Sequence, residues 1–184
     1  MKKNIGPVFA LYPTPSTVVG TIANDRVNWA NVAHIGIIGL DCLMLSLRKN
    51  HYTNINIRAC KSVSVNIVSE DMLVEADYVG LVSGKNTDKS DVFPYHVGDL
   101  NTPIINQSPV SMECKLIDIY NTDQYDNFIF RVINTYVNEE ILDENGDIDY
   151  DEVKPVLFEM PTVKYLETGK VLGKCWSVGK QYHK

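Results

Sequence analysis

What most constrains this chain is a succession of β-prone runs, divided by turn residues, with few segments of helical period. Val18-Val19-Gly20-Thr21-Ile22-Ala23 leads into Asn24-Asp25 and then into Val27 to Ala33, a pattern that predicts a hairpin. Leu43 to Leu47 reads as a short buried strand. Val63, Val65 and Ile67 alternate with Ser64 and Asn66, the period of two expected of a half-buried strand. Ser111 to Asn121 and Phe128 to Val137 are longer runs rich in β-branched and aromatic residues. Helical signals are short. Thr53 is placed to cap a helix reaching about Cys60. Ser69 is placed to cap a second, with Glu70 and Asp71 in its first turn and Met72, Leu73 and Ala76 facing the core. A third short helix is expected over Asp88 to Val92. Many strands with few helices predict a mainly β fold, a barrel or sandwich with peripheral helices. No linker, repeat or low-complexity stretch divides residues 1–184, which read as one domain.

Composition narrows the function classes. A net charge of -6 with dispersed basic residues gives no general attraction for nucleic acid, whose affinity is dominated by phosphate contacts. No segment reaches the apolar length of a bilayer span. No signal-peptide core follows Met1-Lys2-Lys3, because Asn4, Gly6, Pro7, Pro13 and Pro15 interrupt the apolar stretch; the chain reads as cytoplasmic. Cys42, Cys60, Cys114 and Cys175 lie far apart, which favours reduced, mostly buried thiols over a zinc site. His34, His51, His96 and His183 show no metal-ligand spacing, and no metal is expected. GxSxG, GxxxxGK[ST] and GxGxxG are missing, so hydrolase, P-loop and Rossmann readings have no support. The acidic run from Asp143 places Ile148 and Lys154 where a calcium loop needs Gly and Glu; Asn145-Gly146 reads instead as a turn.

The chemically richest stretch is Ser46-Leu47-Arg48-Lys49-Asn50-His51-Tyr52-Thr53, between a short apolar strand and a probable helix start. Arg48 can hold phosphate oxygens bidentately, Ser46 and Thr53 can donate hydroxyls, and a helix N-terminus adds unpaired N–H groups. Taken alone, the octet also reads as a solvated basic loop with Thr53 as a helix cap. Two more segments accompany it: Asn28-Trp29-Ala30-Asn31-Val32-Ala33-His34 upstream, and Val82-Ser83-Gly84-Lys85-Asn86-Thr87-Asp88-Lys89 downstream.

In this order, with Pro13 and Pro15 ahead and Glu75 to Gly80, Tyr165 to Gly169 and Gly179-Lys180 behind, the segments resemble the flavin reductase-like family of FMN-binding split barrels. The resemblance covers nearly the whole chain and rests on the ordered set. It implies a homodimer of six-stranded antiparallel split barrels, each binding FMN non-covalently. It implies that Ser46, Leu47, Arg48, Asn50 and Thr53 hold the phosphate. Asn28, Ala30, Asn31, Val32, Ala33 and His34 would border the isoalloxazine ring. The Ser83 loop would bring a lysine near the flavin, Lys89 or alternatively Lys85. Flavin chemistry needs no acid–base pair from the protein, in keeping with the lack of a recognisable catalytic dyad. NAD(P)H would bind transiently, or a redox protein would exchange electrons with the flavin. Asn31 stands where the family commonly has Thr, and His34 where an aromatic residue is usual. These departures keep a third reading open, a barrel interaction protein whose flavin site has decayed.

Overall fold

The structure, a computed structural model, describes residues 1–182; His183, one of the histidines considered above, lies outside the described residues. In chain order the elements are β1 (Thr14–Pro15), β2 (Thr17–Ala23), β3 (Arg26–Val32), β4 (Ile35–Ile37), β5 (Cys42–Arg48), α1 (Tyr52–Cys60), β6 (Ser62–Ile67), α2 (Leu73–Leu81), β7 (Tyr95–Val97), β8 (Pro103–Ile105), β9 (Val110–Asn121), β10 (Tyr125–Val137), α3 (Tyr150–Val153), β11 (Leu157–Glu159) and β12 (Lys164–Leu166). Seven strands form one antiparallel sheet in the order β3-β2-β6-β9-β10-β5-β4.

The β2–β3 hairpin turns as expected at Asn24 and Asp25. Both residues have positive φ (52° and 57°), the combination that matches the right-handed twist of the flanking strands. The two longest strands, β9 and β10, shift register twice, leaving Ile117 of β9 and Ile133 of β10 without partners. Such bulges bend a strand and increase its twist, and here they fall where the sheet curls.

Inside the curl lies the barrel core: Val19, Val32, Leu43, Leu45, Leu47, Val63, Val65, Cys114, Phe128 and Phe130. These side chains come from β2, β3, β5, β6, β9 and β10; the sheet holds seven strands, one more than the six expected. The seventh, β4, is a three-residue strand that pairs Ile35, Gly36 and Ile37 with Leu45, Met44 and Leu43 of β5. Helix α1 contributes the fully buried Ile57 to the same core. A second core covers the outer face of the hairpin, where Val18, Val27 and Trp29 meet Met72, Ala76 and Val79 of the α2 region. Trp29 is a core residue, with Phe93 and Tyr95 at ring centroids of 5.5 and 5.8 Å.

Several local expectations are corrected. Strand β6 is buried on both faces, because Ser64 and Asn66 bond the carbonyls of Pro103 and Val18 from the side opposite Val63 and Val65. Thr53 does not cap α1; His51 takes that place and Thr53 turns inward. Ser69 precedes a 3-10 turn, Glu70–Met72, without capping it, since its hydroxyl donates to the Asp71 carboxylate. Residues 88–92 form turns rather than a helix, because Lys89 is held elsewhere. Of the four cysteines only Cys114 is buried. The Asn145-Gly146 turn forms as expected, with Gly146 at φ 81° and the Asp143 carboxylate accepting from the Asn145 and Asp147 backbone.

Two buried charges fasten loops to this frame. Glu113 of β9 is fully buried and accepts from Leu100 N (2.9 Å), Thr102 Oγ1 (2.7 Å), Asn134 Nδ2 (2.9 Å) and Tyr136 Oη (2.8 Å). Glu113→Ala leaves these donors without an acceptor and is expected to cost on the order of 3 kcal/mol, measured by urea denaturation. Lys89, 3% exposed, donates from Nζ to the Val79 and Val82 carbonyls at 3.0 Å each, capping the C-terminus of α2. Burial lowers its pKa from 10.5 to about 8. Between those values the unfolded chain holds more protons than the folded one, so stability rises with pH from about 8 to 10.5. The rise is expected to vanish in Lys89→Met. Denaturation midpoints across that window check it, and equal slopes for the two proteins would contradict it.

Candidate functional site

A cleft of about 430 Å³ opens where the end of β5 and the start of α1 face the end of β3. One wall is cationic. β5 ends at Arg48, and the chain turns through His51, whose N–H bonds Arg48 O at 3.0 Å, into α1. The N-terminus of α1 has no side-chain cap and no acidic residue in its first turn. The first N–H groups of a helix have no intrahelical partner, so those of Tyr52 and Thr53 are open to an acceptor. The exposed Arg48 guanidinium donates to Tyr125 Oη at 3.4 Å and is in no ion pair among the described residues. Burial, and then the Arg48 and Lys89 charges, hold His51 below the usual imidazole range. The local field is therefore positive.

The opposite wall is the strand end from Asn31 to His34. Its carbonyls are consumed by the protein: Val32 O accepts from Thr17 Oγ1 (2.6 Å), Ala33 O from Thr14 Oγ1 (3.1 Å) and His34 O from Ser46 N (2.9 Å). Among the described residues the N–H groups of Ala33 and His34 have no protein acceptor. Beside them, Asn31 Oδ1 accepts from Ser16 Oγ (2.9 Å), and Asn31 Nδ2 donates to Tyr165 Oη (3.0 Å). Tyr165 in turn donates to Asp77 Oδ1 of α2 at 2.8 Å. Burial first, and then Asp77, raise the Tyr165 pKa to about 12, so its hydroxyl stays a donor. An aromatic cluster rims the cleft: Tyr12 shares a hydrogen bond of 2.9 Å with His34 Nε2, and Phe9, Phe158 and Tyr165 continue it.

Of the residues singled out from sequence, Asn31, Val32, Ala33, His34, Ser46, Leu47 and Arg48 line this cleft. The others lie behind or beside it. Ala30 packs against the barrel core. Asn28 is buried and donates from Nδ2 to Thr53 Oγ1 at 3.3 Å, so both side chains point into the protein. Gly84 packs against Asn28 so closely that a Cβ there would stand 2.0 Å from Asn28 Oδ1. Asn50 lies in the exposed turn before α1, and Ser83 and Lys85 in the exposed loop after α2, where Ser83 Oγ accepts from Lys85 N. Lys89 is committed to the α2 carbonyls. The cleft also draws on His51, Asp77, Leu81, Tyr125, Phe158, Met160 and Tyr165, which sequence reasoning did not single out as site residues. Asp77 and Tyr165 fell within segments that carried the family resemblance, and His51 within the Ser46-to-Thr53 stretch; nothing local marked Leu81, Tyr125, Phe158 or Met160.

The arrangement fits one kind of ligand. Unpaired helix N–H groups and a guanidinium suit an anionic group at one end, and open backbone donors suit a flat, acceptor-rich ring at the other. A larger cleft of about 840 Å³, bordered by Glu70, Asp71, Asp151, Glu152 and Glu167, lies beyond Tyr165 and shares that residue.

Known structures share this architecture. Flavoredoxin from Methanosarcina acetivorans superposes with a TM-score of 0.93 at 28% identity, covering 98% of each chain. Flavoredoxin of Desulfovibrio vulgaris (Miyazaki F) gives 0.91 at 32% identity, covering 97% of this chain and 100% of that one. An FMN-binding protein from Thermus thermophilus gives 0.79 at 21% identity, over 95% and 99% of the two chains, a likeness of fold alone. No curated protein matches the chain. Residues 9–159 match the flavin reductase-like domain, and the chain belongs to that family of split-barrel flavin-binding proteins.

Proposed function

We propose that the chain binds FMN non-covalently in this cleft and passes electrons through it as an oxidoreductase. The observation that carries this reading is the pairing of Arg48 and an uncapped, acid-free helix N-terminus with a strand end whose carbonyls are occupied and whose N–H groups are open. Arg48, Ser46 and the α1 N-terminus would hold the phosphate. The backbone from Asn31 to His34 would border the ring. When bound, the flavin supplies hydride and electron transfer; the protein's own groups bind, orient and shield it. The likeness to flavoredoxins supports a flavin as the ligand, and the choice of FMN rests on the resemblance of the sequence segments to FMN-binding split barrels. Because Arg48→Ala removes a charge-assisted contact, it is expected to raise the Kd for FMN about tenfold or more. Flavin fluorescence quenching measures this, and unchanged affinity would show the phosphate site to be misplaced.

The same site serves a flavin reductase or an electron carrier. Steady-state oxidation of NADH or NADPH with free flavin as acceptor separates them: turnover identifies a reductase, and reduction by a protein partner alone identifies a carrier. We further propose a homodimer in a reducing, cytoplasmic setting. Ile37, Leu40, Leu172 and Trp176 are largely exposed (88%, 111%, 90% and 96%) and offer apolar side chains to a second copy of the chain. The four cysteines are unpaired, which suits a reducing compartment. Light scattering of the purified protein is expected to give twice the mass of one chain.

A further inference from the structure

The cleft carries both signs of charge. Arg48 and His51 line it beside the α1 N-terminus, and Asp77 lines it in the group where Asn31, Gly80 and Tyr165 meet. Among the described residues Asp77 is the one carboxylate that lines the cleft. Three elements distant in sequence converge on its partner, the Tyr165 hydroxyl: α2 through Asp77, β3 through Asn31 and β12 through Tyr165 itself. α2 comes so close to β3 here that a Cβ on Gly80 would stand 3.1 Å from Asn31 Cβ. Phe158 holds the Tyr165 ring at a centroid distance of 5.9 Å. Tyr165 thus forms the partition between this cleft and the acidic one behind it, and both of its hydroxyl bonds are made.

We propose that Asp77, held by Tyr165, sets the redox poise of this site by opposing negative charge at the ring end of the cleft. The inference rests on the FMN reading above. Reduction loads electron density onto the flavin ring, and a fixed carboxylate nearby disfavours the reduced form more than the oxidised one. The Tyr165 hydroxyl moderates that effect, because its proton shares the Asp77 charge. Relative to the same cleft without that charge, Asp77 makes bound FMN the readier electron donor. Asp77 and Tyr165 are positioning and tuning residues, and no proton or hydride step is assigned to them.

The measured quantity is the ratio of reduced-form to oxidised-form affinity for FMN. It is obtained from the difference between the midpoint potentials of bound and free flavin. Asp77→Asn keeps an Oδ1 acceptor for Tyr165 while removing the charge. It is expected to raise the ratio about tenfold, which is ~30 mV for a two-electron couple. Tyr165→Phe keeps the ring contact with Phe158 and bares the carboxylate; it is expected to lower the ratio severalfold. A purely structural role would weaken both forms equally, so a ratio within twofold of wild type in Asp77→Asn overturns the inference, as does a shift of Tyr165→Phe in the same direction as Asp77→Asn. Wild-type protein that takes up no FMN overturns the cofactor reading and this inference with it. Wild-type binding with an unmoved ratio in the variants overturns this inference alone.

Discussion

The docking of α1 onto the barrel mouth is the constraint on which the cleft depends. Asn54 Nδ2 donates both to Arg48 O (3.1 Å) and to the buried Asp126 carboxylate (3.0 Å), and so ties the helix to the end of β5 and to β10. Arg58, one helical turn later, pairs with the same carboxylate at 3.0 Å and lies over the Phe128 ring at 5.4 Å. Ile57, between them, fills the barrel core. A charge pair with one buried member, a cation over an aromatic ring and an apolar plug therefore fix one nine-residue helix. The direction of its N-terminus follows, and with it the positive wall of the cleft.

That wall is built without neutralising it. The Arg48 and Lys89 charges both act on His51, and nearby carboxylates are engaged elsewhere. Asp126 serves Arg58 and Asn54, and Asp88 serves Arg26. The opposite wall follows the same logic with backbone groups. Thr14, Thr17 and Ser46 take up the carbonyls of Ala33, Val32 and His34, while the N–H groups of Ala33 and His34 have no acceptor among the described residues. Donors on both sides, with the backbone carbonyls of Val32, Ala33 and His34 already occupied, suit an anionic, acceptor-rich ligand, against which Asp77 is the one opposing charge lining the cleft among the described residues.

The sequence made the strands legible because burial imposes a period of two, and turn residues such as Asn24-Asp25 carry their own backbone signature. It made the Arg48 loop legible because donors gathered within a few residues are visible in one dimension. It misjudged β6, where polar residues alternate as on a solvated face. Ser64 and Asn66 instead satisfy buried carbonyls, and alternation cannot distinguish water from a protein acceptor. It misjudged Thr53 because a hydroxyl at a helix start is a cap only if it turns back on the helix, and here Asn28, 25 residues earlier, draws it inward. Lys89 shows the same limit. A lysine in a polar loop looks solvated until α2 offers it two free carbonyls. Asp77 and Tyr165 are 88 residues apart, and their meeting depends on β12 reaching α2, which no local pattern records.

Where the fold leaves groups unsatisfied is itself informative. Among the described residues, Asn28 Oδ1, Asn54 Oδ1 and Trp29 Nε1 are buried without a hydrogen-bond partner. Each such group costs about 1–3 kcal/mol relative to a satisfied one, so their placement is not indifferent. Two of the three, Asn28 and Asn54, flank the start of α1: the first through Thr53, the second through Arg48 O and Asp126. Both spend their donors on holding the helix and leave their acceptors idle. A core optimised for stability alone would place apolar residues there, as it does around Ile57. The asparagines make sense if the position of the α1 N-terminus matters more than the stability they forgo. That is the pattern expected where a protein breaks a local rule in order to build a binding site.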